Sequence, residues 1–215
     1  MKALIERYEP MVFSEHLAWS THGAAFLNDL LPLPYNGRTV RRVMAQVQEI
    51  QEALGRRILV ENPATYLRFG SSDYSEIEFL REIACRTGCG LLLDVTNVHV
   101  SAVNHAFSAE DYIDAFPMPH VEEIHLAGYA EDTGEVGESL LIDAHCASVP
   151  DPVWSLYERA LARRGPVATL IEWDNDVPSW PVLFEEATHA ESLLKKRQPA
   201  SGENSQLEAL HDADT

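Results

Sequence analysis

The chain has 215 residues and a formal net charge of −18, with 16 Lys and Arg against 34 Asp and Glu. So negative a chain repels phosphate backbones, which argues against nucleic acid as a partner. Hydrophobic residues make up 46% of the chain, enough for the core of one domain. No apolar run reaches the roughly 20 residues of a membrane span, and the start lacks a secretory signal pattern. The three cysteines lack disulfide-scaffold spacing, so the sequence indicates the cytoplasm and no membrane partner.

Strand and helix patterns alternate along the chain. A helix is predicted at 2–8, a strand at 11–15 and a second helix at 40–54, which Gly55 ends. Between them a long polar loop is predicted, because Pro32 and Pro34 block regular structure. Further on, the predicted strands are 57–61, 90–94, 121–126 and 168–172. The helices between and after them are 75–86 (capped by Ser75 with Glu78), 108–116, 151–164 and 180–196.

This alternation, with strands that are apolar on both faces, is typical of a parallel sheet covered by helices. The sequence therefore predicts an α/β domain. Residues 1–196 are expected to form this domain. Residues 197–215 are expected to be a disordered acidic tail, because they contain few large apolar side chains.

Every predicted strand ends in a side chain that can bind a metal ion. These residues are Glu15 with His16, Glu61, Asp94, His125 and Glu172. In parallel α/β folds the carboxyl ends of the strands carry the chemistry. Acidic residues there also cap the helices that follow, but five strands of five, two of them with a histidine, are hard to ascribe to capping alone. The sequence thus predicts a metal site at this edge of the sheet.

The stretch from Val121 to Cys146 adds two more ligands. His125 ends a strand, and Asp143 and His145 follow after an acidic loop. An imidazole at a strand end followed by a carboxylate and a second imidazole suits a metal site. The alternative is that His125 is a hydrogen-bonded core histidine and Asp143 a turn former, and this stretch alone does not decide between the two interpretations.

A series of motifs resembles a known family over roughly residues 2–194. The motifs are SEHLAW (14–19), NDLLPLP (28–34), ENP (61–63), LD with Asn97 (93–97), SAVNH (101–105), HLAG (125–128), DAH (143–145) and EWD (172–174). In this order they resemble the multinuclear non-heme iron-dependent oxidative enzymes, which include the methanobactin-biosynthesis oxidase. The resemblance departs from the family pattern at Thr96, Tyr129 and Cys146.

The resemblance implies a TIM-type (β/α)8 barrel that holds two or three iron ions and uses dioxygen to oxidise a cysteine of a ribosomally made precursor peptide. A separate partner protein commonly presents the peptide. The resemblance implies these iron ligands: His16, Glu61, Asp94, Asn97, His125, Asp143, His145 and Glu172. His99 and Asp174 are implied to support the ligands. A mixed set of imidazole and carboxylate ligands suits iron or manganese better than softer metals.

A closed barrel of this type has eight strands, and the sequence predicts five. Compared with the family pattern, the chain is expected to be truncated at its N-terminus, with two open sheet edges and reduced activity. Two alternatives to the oxidase therefore stay open. One is a divalent-metal barrel of the isomerase or endonuclease type, and the other is an inactive remnant.

Overall fold

The computed structural model describes residues 1–133 and 139–197. Its helices are α1 (Lys2–Tyr8), α2 (Gly37–Leu54), α3 (Glu76–Thr87), α4 (Val95–His105), α5 (Ala109–Ala115), α6 (Asp151–Arg164) and α7 (Trp180–Arg197). Its strands are β1 (Ser14–His16), β2 (Trp19–His22), β3 (Ala25–Leu31), β4 (Leu59–Glu61), β5 (Gly90–Asp94), β6 (Val121–Ala127), β7 (Ala130–Thr133), β8 (Ser139–Ile142) and β9 (Ala168–Glu172). The predicted tail lies outside the described residues, apart from Arg197 at the end of α7.

A parallel sheet organises the domain. Its five strands lie in the order β1-β4-β5-β6-β9, and each neighbouring pair is parallel. This confirms the predicted α/β fold class, a partial barrel with five parallel strands. Within the described residues β1 and β9 are the edges of the sheet.

The core lies against the middle of this sheet. Every residue of β4 and β5 is buried, as the continuous apolar runs predict. Helices α3 and α6 pack their apolar sides on it through Phe79, Ile83 and Tyr157, which are fully buried. The predicted capping box of α3 is present: Ser75 accepts a hydrogen bond from the Glu78 amide, and the Glu78 carboxylate accepts one from the Ser75 amide. Among the described residues, no helix is both long and apolar enough to cross a membrane.

Three segments differ in kind from the sequence prediction, and the first strand lies at Ser14–His16 instead of 11–15. The stretch predicted as a polar loop forms the antiparallel hairpin β2–β3, since Gly23 (φ 60°) and Ala24 make a two-residue turn before the prolines begin. The stretch after β6, which was predicted as an acidic loop, contains the two antiparallel strands β7 and β8. Helix α4 was not predicted because its β-branched residues mask the helical signal. It begins where Asp94 accepts a hydrogen bond from the Asn97 amide.

Candidate metal centre

The sheet register brings the ends of the strands together. His16 lies beside Glu61 in the β1–β4 pair, Asp94 beside His125 in β5–β6, and Glu172 beside Ala127 in β6–β9. Because all five strands are parallel, these residues lie together at the carboxyl ends of the strands. Glu15 points to the opposite face from His16, because successive side chains of a strand alternate.

Two groups of side chains at the carboxyl ends of the strands have the spacing of metal ligands. The first is Glu61, Asp94 and His125, all buried, and the second is Asp94, His145 and Glu172. Within each group one ligand atom per residue lies within 4.8 Å of the others. Asp94, which is completely buried, belongs to both groups. The two groups are thus adjacent and joined through one carboxylate.

The two histidines at the centre are surrounded by carboxylates. Nδ1 of His125 lies 3.2 Å from Oε1 of Glu172, and Nδ1 of His145 lies 3.7 Å from the other oxygen of the same carboxylate. Nε2 of His145 lies 2.8 Å from Oδ1 of Asp143. Asp174, which the resemblance implied as a supporting residue, has Oδ2 3.1 Å from Nδ1 of His145. Glu172 therefore links the two histidines.

The loop that carries Asp143 and His145 is held by its neighbours. The Asp143 amide donates a hydrogen bond to the hydroxyl of Tyr66 at 2.9 Å. The amide of Asp174 donates to the His145 carbonyl at 3.0 Å, and the Asn175 side chain donates to Ala144 at 2.7 Å. Residues after β4 and β9 thus hold the loop over the end of the sheet.

Asn62 and Asn97 hold the buried acids in place. The Asn62 side chain makes two hydrogen bonds of 2.9 Å with the backbone of Asp94, one to its amide and one to its carbonyl. The Asn97 amide donates to Oδ1 of Asp94 at 2.6 Å, and its side-chain nitrogen donates to the Asn62 carbonyl at 3.1 Å and to Glu61 at 3.5 Å. Oδ1 of Asn97 is buried and makes no hydrogen bond with any described residue.

The remaining predicted residues lie at the margin of the centre. Nε2 of His16 is 3.4 Å from Oε2 of Glu61, but the His16 side chain is 48% exposed. His99 lies apart from the two ligand groups. It stacks on Tyr129 with ring centroids 5.3 Å apart, and its Nε2 is 3.3 Å from the tyrosine hydroxyl. The fold therefore brings all eight predicted ligands into one connected cluster and leaves His99 outside it.

Sequence reasoning missed four contributors to this centre. They are Asn62, Tyr66, Thr96 and Glu123. The Thr96 hydroxyl exchanges hydrogen bonds of 2.8 and 3.0 Å with the Ala127 backbone, so it ties the start of α4 to the end of β6. The sequence did contain a signal for Glu123. It lies two residues before His125 in a strand, and residues two apart in a strand project from the same face of the sheet.

Burial and charge together shift the titration of the site. Burial raises the pKa of Glu61 to about 7, with Glu172 and Asp143 adding to the effect and His125 opposing it. Burial also raises the pKa of Asp94 well above its usual range. Burial acts to lower the pKa of His125, but Glu123 and Glu172 outweigh it and raise the value to about 10.

For His145, contact with Asp143 is the largest effect and raises the pKa to about 10 against the opposing effect of burial. Without a metal the centre thus retains protons on its imidazoles. It also favours protonation of the buried acids Glu61 and Asp94.

A metal ion fits the polar atoms that the protein itself leaves unsatisfied. Five buried atoms of the cluster lack a hydrogen bond among the described residues: Oδ2 of Asp94, Oδ1 of Asn97, Nδ1 of His125, Oδ1 of Asp143 and Nε2 of His145. Some lie close to a charged neighbour, yet none meets it in hydrogen-bond geometry. Buried polar atoms are normally satisfied, so five in one cluster fit a site that binds a metal ion. Their oxygen and imidazole chemistry suits a divalent ion such as iron, manganese or zinc.

Fold and site together define a parallel α/β barrel-type protein with a candidate metal centre at the carboxyl ends of its strands. The profile of the family described as RiPP precursor modification enzyme MbnB/TglH/ChrH matches residues 1–195, and the chain belongs to that family. This confirms the family that the motifs indicated.

Relatives support the assignment over most of the chain. The UPF0276 protein of Rhizobium meliloti is 53% identical over 194 residues, which are 90% of this chain and 63% of that protein. The UPF0276 protein of Paraburkholderia phytofirmans is 50% identical over 200 residues, 93% of this chain and 65% of that protein. The chain thus spans somewhat under two thirds of the length of these two relatives.

The solved structures support the fold. A xylose isomerase domain containing protein from Salmonella typhimurium LT2 superimposes with a TM-score of 0.55 and 13% identity, covering 90% of this chain and 66% of that one. At so low an identity the similarity shows the barrel-type fold and nothing about the reaction.

Proposed function

We propose that this chain carries the metal centre of an iron-dependent, oxygen-using enzyme that modifies cysteine residues of a ribosomally made precursor peptide. The observation that carries the proposal is the pair of candidate ligand groups that share Asp94. The chain also belongs to a family that is described as precursor modification enzymes. Paired metal ions held by shared carboxylates are a common catalytic arrangement. A peptide-presenting partner protein and a cytoplasmic location belong to the same proposal.

The proposed ligands are the eight residues of the cluster. Glu61, Asp94 and His125 would hold one ion, and Asp94, His145 and Glu172 a second one. Asn97 and Asp143 have an unsatisfied oxygen beside these groups, and His16 lies at the exposed margin. Iron in such a centre would supply the redox chemistry that the conversion of a thiol requires.

The chain itself contributes order and access. Asn62 and Asn97 fix the buried Asp94, so its carboxylate is oriented before a metal arrives. Tyr66 fixes the loop of Asp143. The same segment after β4 exposes Leu67 and Phe69, at 50% and 38%, and these side chains would offer apolar contact to a peptide.

Metal content tests the first part of the proposal. The protein purified without oxygen from iron-replete cells should contain more than one equivalent of iron. His145→Ala should remove the second group and retain the first, Glu61→Ala should do the reverse, and Asp94→Ala should weaken both. His22→Ala, on the exposed hairpin, is the matched control and should keep the wild-type iron content. Zinc as the only bound metal, or no bound metal, would contradict the proposal.

Oxygen dependence tests the second part. With ferrous iron, dioxygen, the partner protein and a short cysteine-containing peptide encoded beside the gene, the mass of the peptide should change. Cys→Ser in the peptide should abolish the change. Equal turnover of a substrate under strict anaerobiosis would instead favour the divalent-metal isomerase class.

A further inference from the structure

Strand β6 carries a second carboxylate on the face that holds His125. Alternate residues of a strand share a face, so Glu123 and His125 project to one side and Glu122 to the other. The register places Glu123 beside Leu92, which in turn pairs with Glu61. Glu123 therefore lies in the same cross-strand row as Glu61, on the side of the sheet that bears the proposed ligands, one pleat before His125.

Each ring nitrogen of His125 faces a different carboxylate. Nδ1 lies 3.2 Å from Oε1 of Glu172, and Nε2 lies 3.7 Å from Oε1 of Glu123. The two side chains of the second pair are 8% and 19% exposed, so water competes little for this contact. Nδ1 is buried and makes no hydrogen bond among the described residues, which leaves it available to a metal ion, whereas Nε2 is the nitrogen that faces Glu123.

We propose that Glu123 is a positioning residue of the metal centre, whose carboxylate accepts a hydrogen bond from Nε2–H of His125 while Nδ1 faces the metal. The inference rests on the metal centre proposed above. A small rotation of either side chain brings the 3.7 Å separation within hydrogen-bond length. A ligating imidazole that donates its other N–H to a carboxylate has a fixed tautomer and ring orientation, and is a stronger ligand.

Glu123 is distinguished from a ligand by its place. Neither group with ligand spacing in the described residues includes it, although Glu61, in the same row, belongs to one. Its neighbour Glu122 forms an ion pair with Arg57 on the other face of the sheet and does not contact His125. Glu122 therefore offers a control of the same residue type, one position away.

The test separates the length of the side chain from its charge. Glu123→Gln keeps an acceptor oxygen at the same reach, whereas Glu123→Asp keeps the charge but withdraws it by one methylene. Co²⁺ and Fe²⁺ would be titrated anaerobically into the metal-free 215-residue protein against a competing chelator. Co²⁺ absorption would report ligand geometry, and circular dichroism the fold.

If the proposal holds, Glu123→Asp and Glu123→Ala lower the affinity of the site that contains His125 by about 10–100-fold and change its Co²⁺ spectrum, with the number of bound ions unchanged. Glu122→Gln should stay within a few-fold of wild type. Glu123→Gln should have an affinity between those of wild type and Glu123→Asp, because its amide oxygen still accepts the hydrogen bond but lacks the charge that strengthens the ligand.

Loss of one whole equivalent of metal in Glu123→Gln would make Glu123 a ligand instead. Wild-type affinity in Glu123→Asp would show that it has no positioning role, and this outcome decides the matter even if Glu123→Ala does not fold. If wild type binds no metal, the proposed function fails; if wild type binds and the variants match it, only the role of Glu123 fails.

Discussion

At the residue scale, the surroundings of His125 and His145 determine how the metal-free site responds to pH. Both imidazoles have their pKa raised from 6.5 to about 10 by neighbouring carboxylates. Their protons must leave when a metal binds, because only a neutral imidazole is a ligand. Metal affinity should therefore rise with pH, and each binding event should release protons to the buffer.

The stability of the metal-free protein should fall as pH rises from about 5 to 10. A histidine whose pKa is raised from 6.5 to about 10 contributes its full stabilisation below pH 6.5 and loses it as the pH approaches 10. Glu61 acts in the same direction, because its pKa of about 7 replaces a usual value of 4.5 and the folded state holds the extra proton in that window.

Thermal melts with a chelator at pH 5, 7 and 9 measure this slope. His145→Ala should flatten the upper part of the curve, and His22→Ala should leave it unchanged. A melting temperature that is constant or rises between pH 6 and 9 would contradict this account of the two histidines.

At the element scale, the loop bearing Asp143 and His145 depends on a close approach at Gly128. A Cβ atom built on Gly128 would overlap the carbonyl of Ala147 and lie 2.8 Å from that of Ser148. Both obstacles are backbone atoms of the segment that follows His145, so that segment must move if position 128 gains a side chain.

Gly128→Ala should therefore weaken metal binding although Gly128 offers no ligand atom. We expect the affinity of the group with His145 to fall by about 10-fold or more, because even a shift of an ångström spoils ligand geometry. The free energy of unfolding should drop by about 1–3 kcal/mol. Gly70→Ala is the matched control, since nothing lies within 4 Å of its added Cβ. Equal metal affinity in both variants would mean that the loop yields without moving its ligands.

The same elements show what the sequence could predict. The five strands and the candidate ligands at their ends were predictable because a buried parallel strand has a continuous apolar signal that stops abruptly at a polar residue. The β2–β3 hairpin was missed because the loop was predicted from the prolines at its end, and the turn at Gly23 and Ala24 was not considered.

The contacts of Glu123, Asn62 and Tyr66 depend on register and on loop paths. Asn62 meets Asp94 across 32 positions of sequence, and Tyr66 meets Asp143 across 77. Local patterns carry no information on such pairings.

At the scale of the whole molecule, the sheet has two edges that the described residues leave open. Strand β1 borders only β4, and β9 borders only β6. Leu170 of β9 is 45% exposed, and Trp180 and Phe184 near it in sequence are 72% and 57% exposed. Open backbone donors beside apolar side chains favour pairing with another chain. The net charge of −18 opposes such pairing through repulsion between copies.

These opposing effects predict that the 215-residue protein self-associates, and more strongly at high salt. Raising the salt from 0.05 to about 0.5 M screens the charge repulsion and leaves the apolar contact intact. Sedimentation velocity should therefore show a larger mean mass as salt and protein concentration increase. Leu170→Lys should reduce association, because a lysine on an edge strand blocks strand pairing. Val103→Lys is the control, since Val103 is 47% exposed and lies on helix α4, not on an edge strand. A protein that stays monomeric at all salt concentrations, or an equal effect of the two lysines, would show that the open edges do not drive association.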